Sequence, residues 1–103
     1  MFIGKVTGTV VASQKIDTVV GRKLLLIQAL NVKGDAPGSF EPRSLTAVAV
    51  DTVGAGEGEL VLVTQGSSAR LTESTRNLPI DAVVVGIIDA IQVGGQELYK
   101  KES

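Results

Sequence analysis

The sequence contains no cysteine and no histidine. Without cysteine the chain has no disulfide, no thiolate nucleophile and no zinc–thiolate site. Without histidine it lacks the commonest general base and the commonest metal ligand of proteins. These absences argue against an enzyme or a metalloprotein, so the sequence predicts no catalytic, cofactor-binding or metal-ligating residue.

Aromatic residues, net charge and long apolar runs are also scarce. The aromatic residues are Phe2, Phe40 and Tyr99, and the formal net charge is −1. A pI near 5.3 gives no field that would gather nucleic acid or anionic lipid. No apolar run approaches the ~20 residues of a transmembrane helix, and residues 1–11 lack the apolar segment of a signal peptide. We therefore expect a cytoplasmic protein that binds neither nucleic acid nor membranes.

The chain is nevertheless apolar, with 44% hydrophobic and 20% charged residues. This composition is typical of a folded domain rather than a disordered chain. Its 103 residues fit one domain over 1–103, with a polar tail at 100–103 that is expected to fray. A net charge near zero on so apolar a chain also permits self-association.

Alternating apolar residues and turn signals predict several short strands. The predicted ranges are 2–11, 23–32, 44–51, 59–64, 80–93 and 96–100. Gly4 and Gly8 mark bends or bulges, and Gly94-Gly95 marks a two-residue hairpin turn. The glycines and prolines of 33–43 predict a loop. Five or six strands, with one short helical turn capped by Ser67 or Ser68, predict a mainly β fold: a small closed or nearly closed β-barrel.

Two of these strands are apolar on both faces. In residues 82–88, Val83 and Val85 face one way and Val84 the other, and residues 24–27 behave alike. A barrel strand of a soluble monomer should instead alternate apolar and polar residues. The favoured interpretation is that a neighbouring subunit covers the outer face. The alternative is a strand buried on both sides within one chain.

The glycine-rich stretch "AVDTVGAGEGELVLVTQGSSAR", residues 49–70, raises nucleotide binding. Gly54 and Gly56 fit the start of a G-x-G-x-x-G fingerprint, but its third position falls on Glu59 and a strand follows. A tight loop with positive φ or close backbone approach is the better interpretation, so a bulky side chain at either glycine should disturb folding. A serine nucleophile in "GSSAR" would lack a histidine base, which favours a helix cap there.

Asp51, Asp81 and Asp89 each flank an apolar run. They are compatible with a carboxylate pair of a hydrolase, but each is more simply a turn-capping or arginine-pairing residue. Asp89, between two apolar residues, is expected to have a dedicated partner. Single-stranded nucleic-acid binding by a small barrel is a further alternative, although it requires aromatic platforms and a basic groove.

The stretch 49–70 followed by "LPIDAVVVGIIDAI" closely resembles the vertex proteins of bacterial microcompartments, the EutN/CcmL family. "GKVTGTVVAS" and "KLLLIQAL" extend the resemblance through the chain, although the 33–43 loop looks long beside the carboxysome members. The resemblance implies an OB-like β-barrel that forms a homopentamer at the five-fold corners of carboxysome or metabolosome shells, beside hexameric shell proteins. It implies a structural protein with no enzymatic activity and no cofactor.

The resemblance also indicates which residues lie at a subunit interface or pore loop. Gly54, Ala55 and Gly56 are expected to crowd near the symmetry axis. The full set of candidates is Asp51, Gly54, Ala55, Gly56, Gly66, Ser67, Ser68, Arg70, Asp81, Val83 and Val85.

Arg70 is the candidate whose chemistry is most specific, because a guanidinium beside two serine hydroxyls can bind a carboxylate or carbonyl in bidentate fashion. We expect Arg70→Ala to weaken the ring or its support by about 1–3 kcal/mol, the cost of a buried acceptor left unpaired. Thermal unfolding and native mass spectrometry measure this. An unchanged melting temperature together with an unchanged oligomeric state would contradict it.

Overall fold

The computed structural model describes residues 1–11, 23–32, 40–66 and 82–102. These ranges contain only strands and their connections, and no helix within them is long and apolar enough to cross a membrane. The predicted helical turn after Gly66 lies outside them. The strands are β1 (Phe2–Val10), β2 (Lys23–Val32), β3 (Phe40–Asp51), β4 (Leu60–Gln65), β5 (Ala82–Ile87), β6 (Ala90–Val93) and β7 (Gln96–Lys100).

Five strands form a closed barrel in the order β1-β2-β3-β5-β4, with β4 returning to pair with β1. All of these pairs are antiparallel except β3–β5, which is parallel. β6 and β7 form a separate hairpin. The predicted small β-barrel is therefore confirmed, with the hairpin as an addition to it.

The interior of the barrel is filled by alternate residues of every barrel strand, as the period of two in a strand requires. Their removal from water is the main force that stabilises the fold. The core consists of Phe2, Val6, Leu25, Ile27, Ala29, Ala49, Ala55, Val61, Val63, Ala82 and Val84.

β3 begins at Phe40, so the predicted loop at 33–43 is wrong for its last four residues. A bulge explains the difference, because Gln28 pairs with Thr46 whereas Leu30 pairs with Pro42. The Gln28 Nε2 atom donates to the carbonyls of residues 43 and 45, at 2.5 and 3.2 Å. Since a side chain stabilises the irregular backbone, the strand continues past a proline that composition alone assigns to a loop.

The long strand predicted over 80–93 is divided in two. β5 ends at Ile87, Ile88 N donates to Leu60 O at 2.9 Å, and the chain turns at Asp89 into β6. Gly94 and Gly95 have φ of 58° and 80°, which confirms the predicted two-residue hairpin turn.

Lys100 and Lys101 are part of the C-terminal hairpin, although they fall within the polar tail at 100–103 that we expected to fray. Lys100 ends β7, and Lys101 N donates to Asp89 O at 2.7 Å. The hairpin is further held by the edge-to-face contact of Phe40 with Tyr99, whose ring centroids lie 6.2 Å apart. The C-terminal hairpin is therefore packed against the barrel up to Lys101.

The doubly apolar strands divide into two cases. Val83 and Val84 are both 0% exposed in the single chain, although successive residues of a strand face opposite ways. At these positions β5 is buried on both sides within one chain, so the expected cover by another subunit is wrong there. Leu24 and Leu26 on β2 are only half-buried and retain exposed apolar surface.

Gly4 and Gly8 serve different purposes in β1. The register shifts between Val6 and Gly8, so the predicted bulge lies next to Gly8. Gly4 instead permits close packing, because a Cβ atom there would overlap Ile27 Cγ2 and lie 3.1 Å from Gln28 O.

This contrast supplies a matched pair of variants. We expect Gly4→Ala to destabilise the fold by about 1–3 kcal/mol, since the overlap forces β1 and β2 apart. Gly8→Ala should change stability by no more than about 0.5 kcal/mol, because an added Cβ meets nothing within 4 Å and φ is not positive. Urea-induced unfolding compares the two. Equal losses in both variants would show that close packing at Gly4 is unimportant.

Candidate functional site

The loop between β3 and β4, residues 52–59, begins with a turn capped by Asp51. The Asp51 Oδ1 atom accepts hydrogen bonds from Val53 N at 3.0 Å and Gly54 N at 3.1 Å. Gly54 has φ of 81°, a conformation that L-residues with a side chain rarely adopt. The turn-capping interpretation of Asp51 is confirmed, and so is the need for glycine at position 54.

Gly56 does not share the backbone strain of Gly54. Its φ is not positive, and an added Cβ would lie 3.5 Å from Glu59 Oε1, which is an ordinary contact. The positive φ of Gly54 supports the prediction that a bulky side chain there disturbs folding. At Gly56 a single added Cβ meets only an ordinary contact, and the effect of a bulky side chain there stays a prediction.

Ala55, between these glycines, anchors the loop to the barrel. Its side chain is 0% exposed and belongs to the core, while its carbonyl accepts a hydrogen bond from Lys23 Nζ at 3.0 Å. The Thr52 hydroxyl donates to Val84 O at 2.7 Å, which ties the start of the loop to β5. The loop is thus held by β2, β5 and the core together.

Glu59 connects the end of the loop to two other parts of the chain. Its Oε1 accepts from Gly56 N at 2.6 Å, and its Oε2 forms a 2.6 Å ion pair with Lys101 Nζ. Val6 N donates to Glu59 O at 3.0 Å, and Gly58 N donates to Val6 O at 2.8 Å. One residue therefore joins the loop, β1 and the C-terminal segment.

The hydrogen bond from Lys101 holds the pKa of the Glu59 carboxyl below its usual range, and the Gly56 N–H lowers it further. The same bond raises the pKa of Lys101. From the sequence, Glu59 was considered only as the residue that occupies the third glycine position of the nucleotide-binding motif. Its position three residues after Gly56, a spacing from which a carboxylate reaches back to a backbone N–H, was the available local signal. Nothing local pointed to Lys101.

Some of the remaining predicted candidates lie at the end of β4 or on β5, and the others lie outside the described residues. Gly66 directly follows β4 with φ of 65°, and Val85 is half-buried on β5 beside the buried Val83. The structure thus brings the β3–β4 loop close to β5 through the Thr52–Val84 bond. Four candidates lie outside the described residues: Ser67, Ser68, Arg70 and Asp81.

The geometry lends no support to the catalytic and nucleotide-binding alternatives. Gly58 leads into a strand, so the glycine loop does not open a helix as the nucleotide fingerprint requires. Asp51 is engaged in its turn, and Asp89 is exposed, so the dedicated partner expected for Asp89 is not needed. Within the described ranges no three acidic residues lie close enough to hold a metal ion.

The aromatic side chains also pack within the protein. Phe2 is buried in the core, and Phe40 and Tyr99 pack against each other. These are all the aromatic residues of the sequence. Since bases stack on open aromatic faces, this arrangement does not favour a single-stranded nucleic-acid site.

We expect Glu59→Gln to destabilise the fold at neutral pH, because the variant loses the ion pair with Lys101. The stabilisation by the carboxylate is present above its usual pKa of 4.5 and is lost as the pH falls through the lowered value. The difference in melting temperature between the two proteins should therefore shrink in acid. Glu57→Gln, in the same loop but exposed, is the control and should match the unsubstituted protein. A difference independent of pH would contradict the electrostatic explanation.

Comparisons with known proteins agree over almost the whole chain. The family model "Ethanolamine utilisation protein EutN/carboxysome" matches residues 1–89. The bacterial microcompartment shell vertex protein PduN of Salmonella typhimurium is 50% identical over 91 residues, which cover 88% of this chain and 98% of PduN.

Solved structures share the fold. The CcmL structure of Gloeobacter violaceus has 46% sequence identity and a TM-score of 0.86, with 98% of both chains covered. The pentameric microcompartment shell protein GrpN of Rhodospirillum rubrum has 44% identity and a TM-score of 0.73, covering 90% of this chain and 98% of GrpN. With its motifs, its barrel and these matches in agreement, the chain belongs to the EutN/CcmL family.

Proposed function

We propose that this protein is a structural vertex protein of a bacterial microcompartment shell. The observation that carries the proposal is the likeness, over nearly the full chain, to PduN, which is named a shell vertex protein, and to GrpN, which is described as pentameric. In this role five copies form a ring at a five-fold corner of the shell, inside the cell, next to hexameric shell proteins.

Shell geometry explains why such a ring is needed. A sheet built only from six-fold units is flat and cannot close, so a closed polyhedral shell requires five-fold units at its corners. A cyclic ring uses a heterologous contact, in which one surface of each protomer meets a different surface of the next. We propose that the chain forms a single domain over residues 1–103 that offers two different surfaces for this contact.

A purely structural role also accords with the chemistry of the chain. The sequence has neither cysteine nor histidine, and the carboxylates of Asp51 and Glu59 stabilise the loop and the C-terminal segment. We therefore regard the protein as a shell component without enzymatic activity or cofactor.

The β3–β4 loop and the half-buried part of β5 at Val85 are the proposed sites of subunit contact near the ring axis. The loop is anchored on several sides and exposes small residues, which allow close approach of neighbouring copies. Gly54 is exposed and Gly56 half-buried, whereas Ala55 and Val83 face their own chain and act by holding this surface in place. Gly66, Ser67, Ser68, Arg70 and Asp81 complete the proposed contact region.

The ring has a simple test. Native mass spectrometry at micromolar concentration should detect a closed species of five 10.7 kDa chains, about 54 kDa. Light scattering during dilution serves as the control, because a specific ring keeps one stoichiometry whereas nonspecific association gives a distribution. A stable monomer under these conditions would refute the proposed function.

A further inference from the structure

A pocket of about 420 Å³ lies on the outside of the barrel, between the barrel wall and the C-terminal hairpin, and we call it the hairpin pocket. Its floor crosses three strands, because Lys5 of β1 pairs with Gln28 of β2 on one side and with Leu60 of β4 on the other. These side chains face outward, since the alternate positions of the same strands fill the core.

The walls of the hairpin pocket are mostly apolar. Phe40, at the start of β3, and Tyr99, on β7, line it with their edge-to-face rings. Leu30 and its register partner Pro42 extend the apolar lining. A volume of this size lies within the range of roughly 300–1,000 Å³ that proteins use for small ligands.

The hairpin that carries Tyr99 is held in place by the chain itself. Lys101 N donates to Asp89 O at 2.7 Å, and Lys101 Nζ forms its 2.6 Å ion pair with Glu59, which adjoins the barrel. The pocket is therefore formed before a ligand arrives, so that binding costs little ordering of the protein.

The polar side chains on the floor differ in what remains for a ligand. The Gln28 amide donates to the carbonyls of residues 43 and 45, and its Oε1 accepts from the Thr46 hydroxyl at 3.3 Å. The Thr7 hydroxyl, also in the lining, donates to Leu26 O at 3.2 Å. The groups of Gln28 and Thr7 are thus already used within the chain.

Lys5 is different, because it carries the only charge among the described residues that line the pocket. Within the described ranges the ion pair is that of Glu59 with Lys101, and no carboxylate pairs with Lys5. An ammonium next to apolar surface attracts an anion more strongly than one surrounded by water, since the effective dielectric constant is lower there. The pocket therefore favours one negative charge at one end of an apolar molecule.

We propose that the hairpin pocket binds a small organic monoanion, whose apolar body packs against Leu30, Phe40 and Tyr99 and whose carboxylate pairs with Lys5. A charge-assisted hydrogen bond fixes the carboxylate, and burial of the apolar body supplies the remaining affinity. At ~30 Å³ for each water-sized group, the pocket holds roughly a dozen non-hydrogen atoms, as in a medium-chain carboxylate. The site lies within one chain and adds a binding function to the proposed structural role.

Tyrosine fluorescence gives a direct test, because Tyr99 is the only tyrosine and the chain has no tryptophan. Octanoate, titrated into the assembled full chain below its micelle-forming concentration, should change the Tyr99 emission and reach saturation. Octylammonium has the same chain with the opposite charge, and repulsion by Lys5 should weaken its binding at least about tenfold. A titration with octanoate that never saturates, or equal affinities for the two compounds, would overturn the proposal.

Substitution of Lys5 isolates the charge. Lys5→Gln alters an exposed side chain, so it should leave the melting temperature unchanged while weakening octanoate binding at least about fivefold. Lys100→Gln is the matched control, because it removes an exposed charge beside Tyr99 in sequence that does not line the pocket, and it should bind octanoate normally. Undiminished binding by Lys5→Gln would overturn the assignment of the anion to Lys5.

Methyl NMR locates the bound octanoate. The signals of Leu30 and Leu60 should shift with the dissociation constant measured from Tyr99, whereas that of Val53, in the β3–β4 loop, should not move. Shifts confined to other parts of the protein would overturn the proposal. The stoichiometry of the ring is measured separately, so a failure of octanoate to bind leaves the proposed function intact.

Discussion

The barrel closes through a parallel contact of only two residue pairs, Val50 with Val83 and Asp51 with Val84. The antiparallel pairs of the barrel involve more residues. Because the closing contact lies at the very end of β3, the core can be sealed while, among the described strands, the preceding part of β3 pairs with β2 alone. The packed interior and the one-sided pairing of β3 therefore result from the same closure.

The chain has to leave β3 immediately after this contact. Asp51 takes part both in the closing contact and in the turn that follows it. Its backbone pairs with Val84, while its side chain caps the turn that follows. Ala55 then returns to the core, and Glu59 ties the loop to β1 and to Lys101. A loop held in this way would lose little conformational entropy in the subunit contact that we propose for it.

The alternation of apolar residues and the turn residues predicted those parts of the fold that depend on neighbours in the sequence. β2 matches its predicted bounds and the Gly94-Gly95 turn is where expected, because alternation and turn chemistry act over a few residues. The start of β3 and the break after β5 depend on distant partners: the Gln28 amide and the Leu60 carbonyl. Periodicity also could not show that Val83 is covered within its own chain.

The same limit applies to the candidate site, where Asp51 and Gly54 carry a local turn signal and the Glu59–Lys101 pair does not. Charge placement along the strands carries further information, because charged residues and proline discourage pairing at a strand edge. Glu41, Pro42 and Arg43 protect the far end of β3, and charged residues line β7. The segments at 44–49 and in β6 contain no charged residue. A ring of five requires two different surfaces on each chain, which meet head to tail with a rotation that closes after five copies.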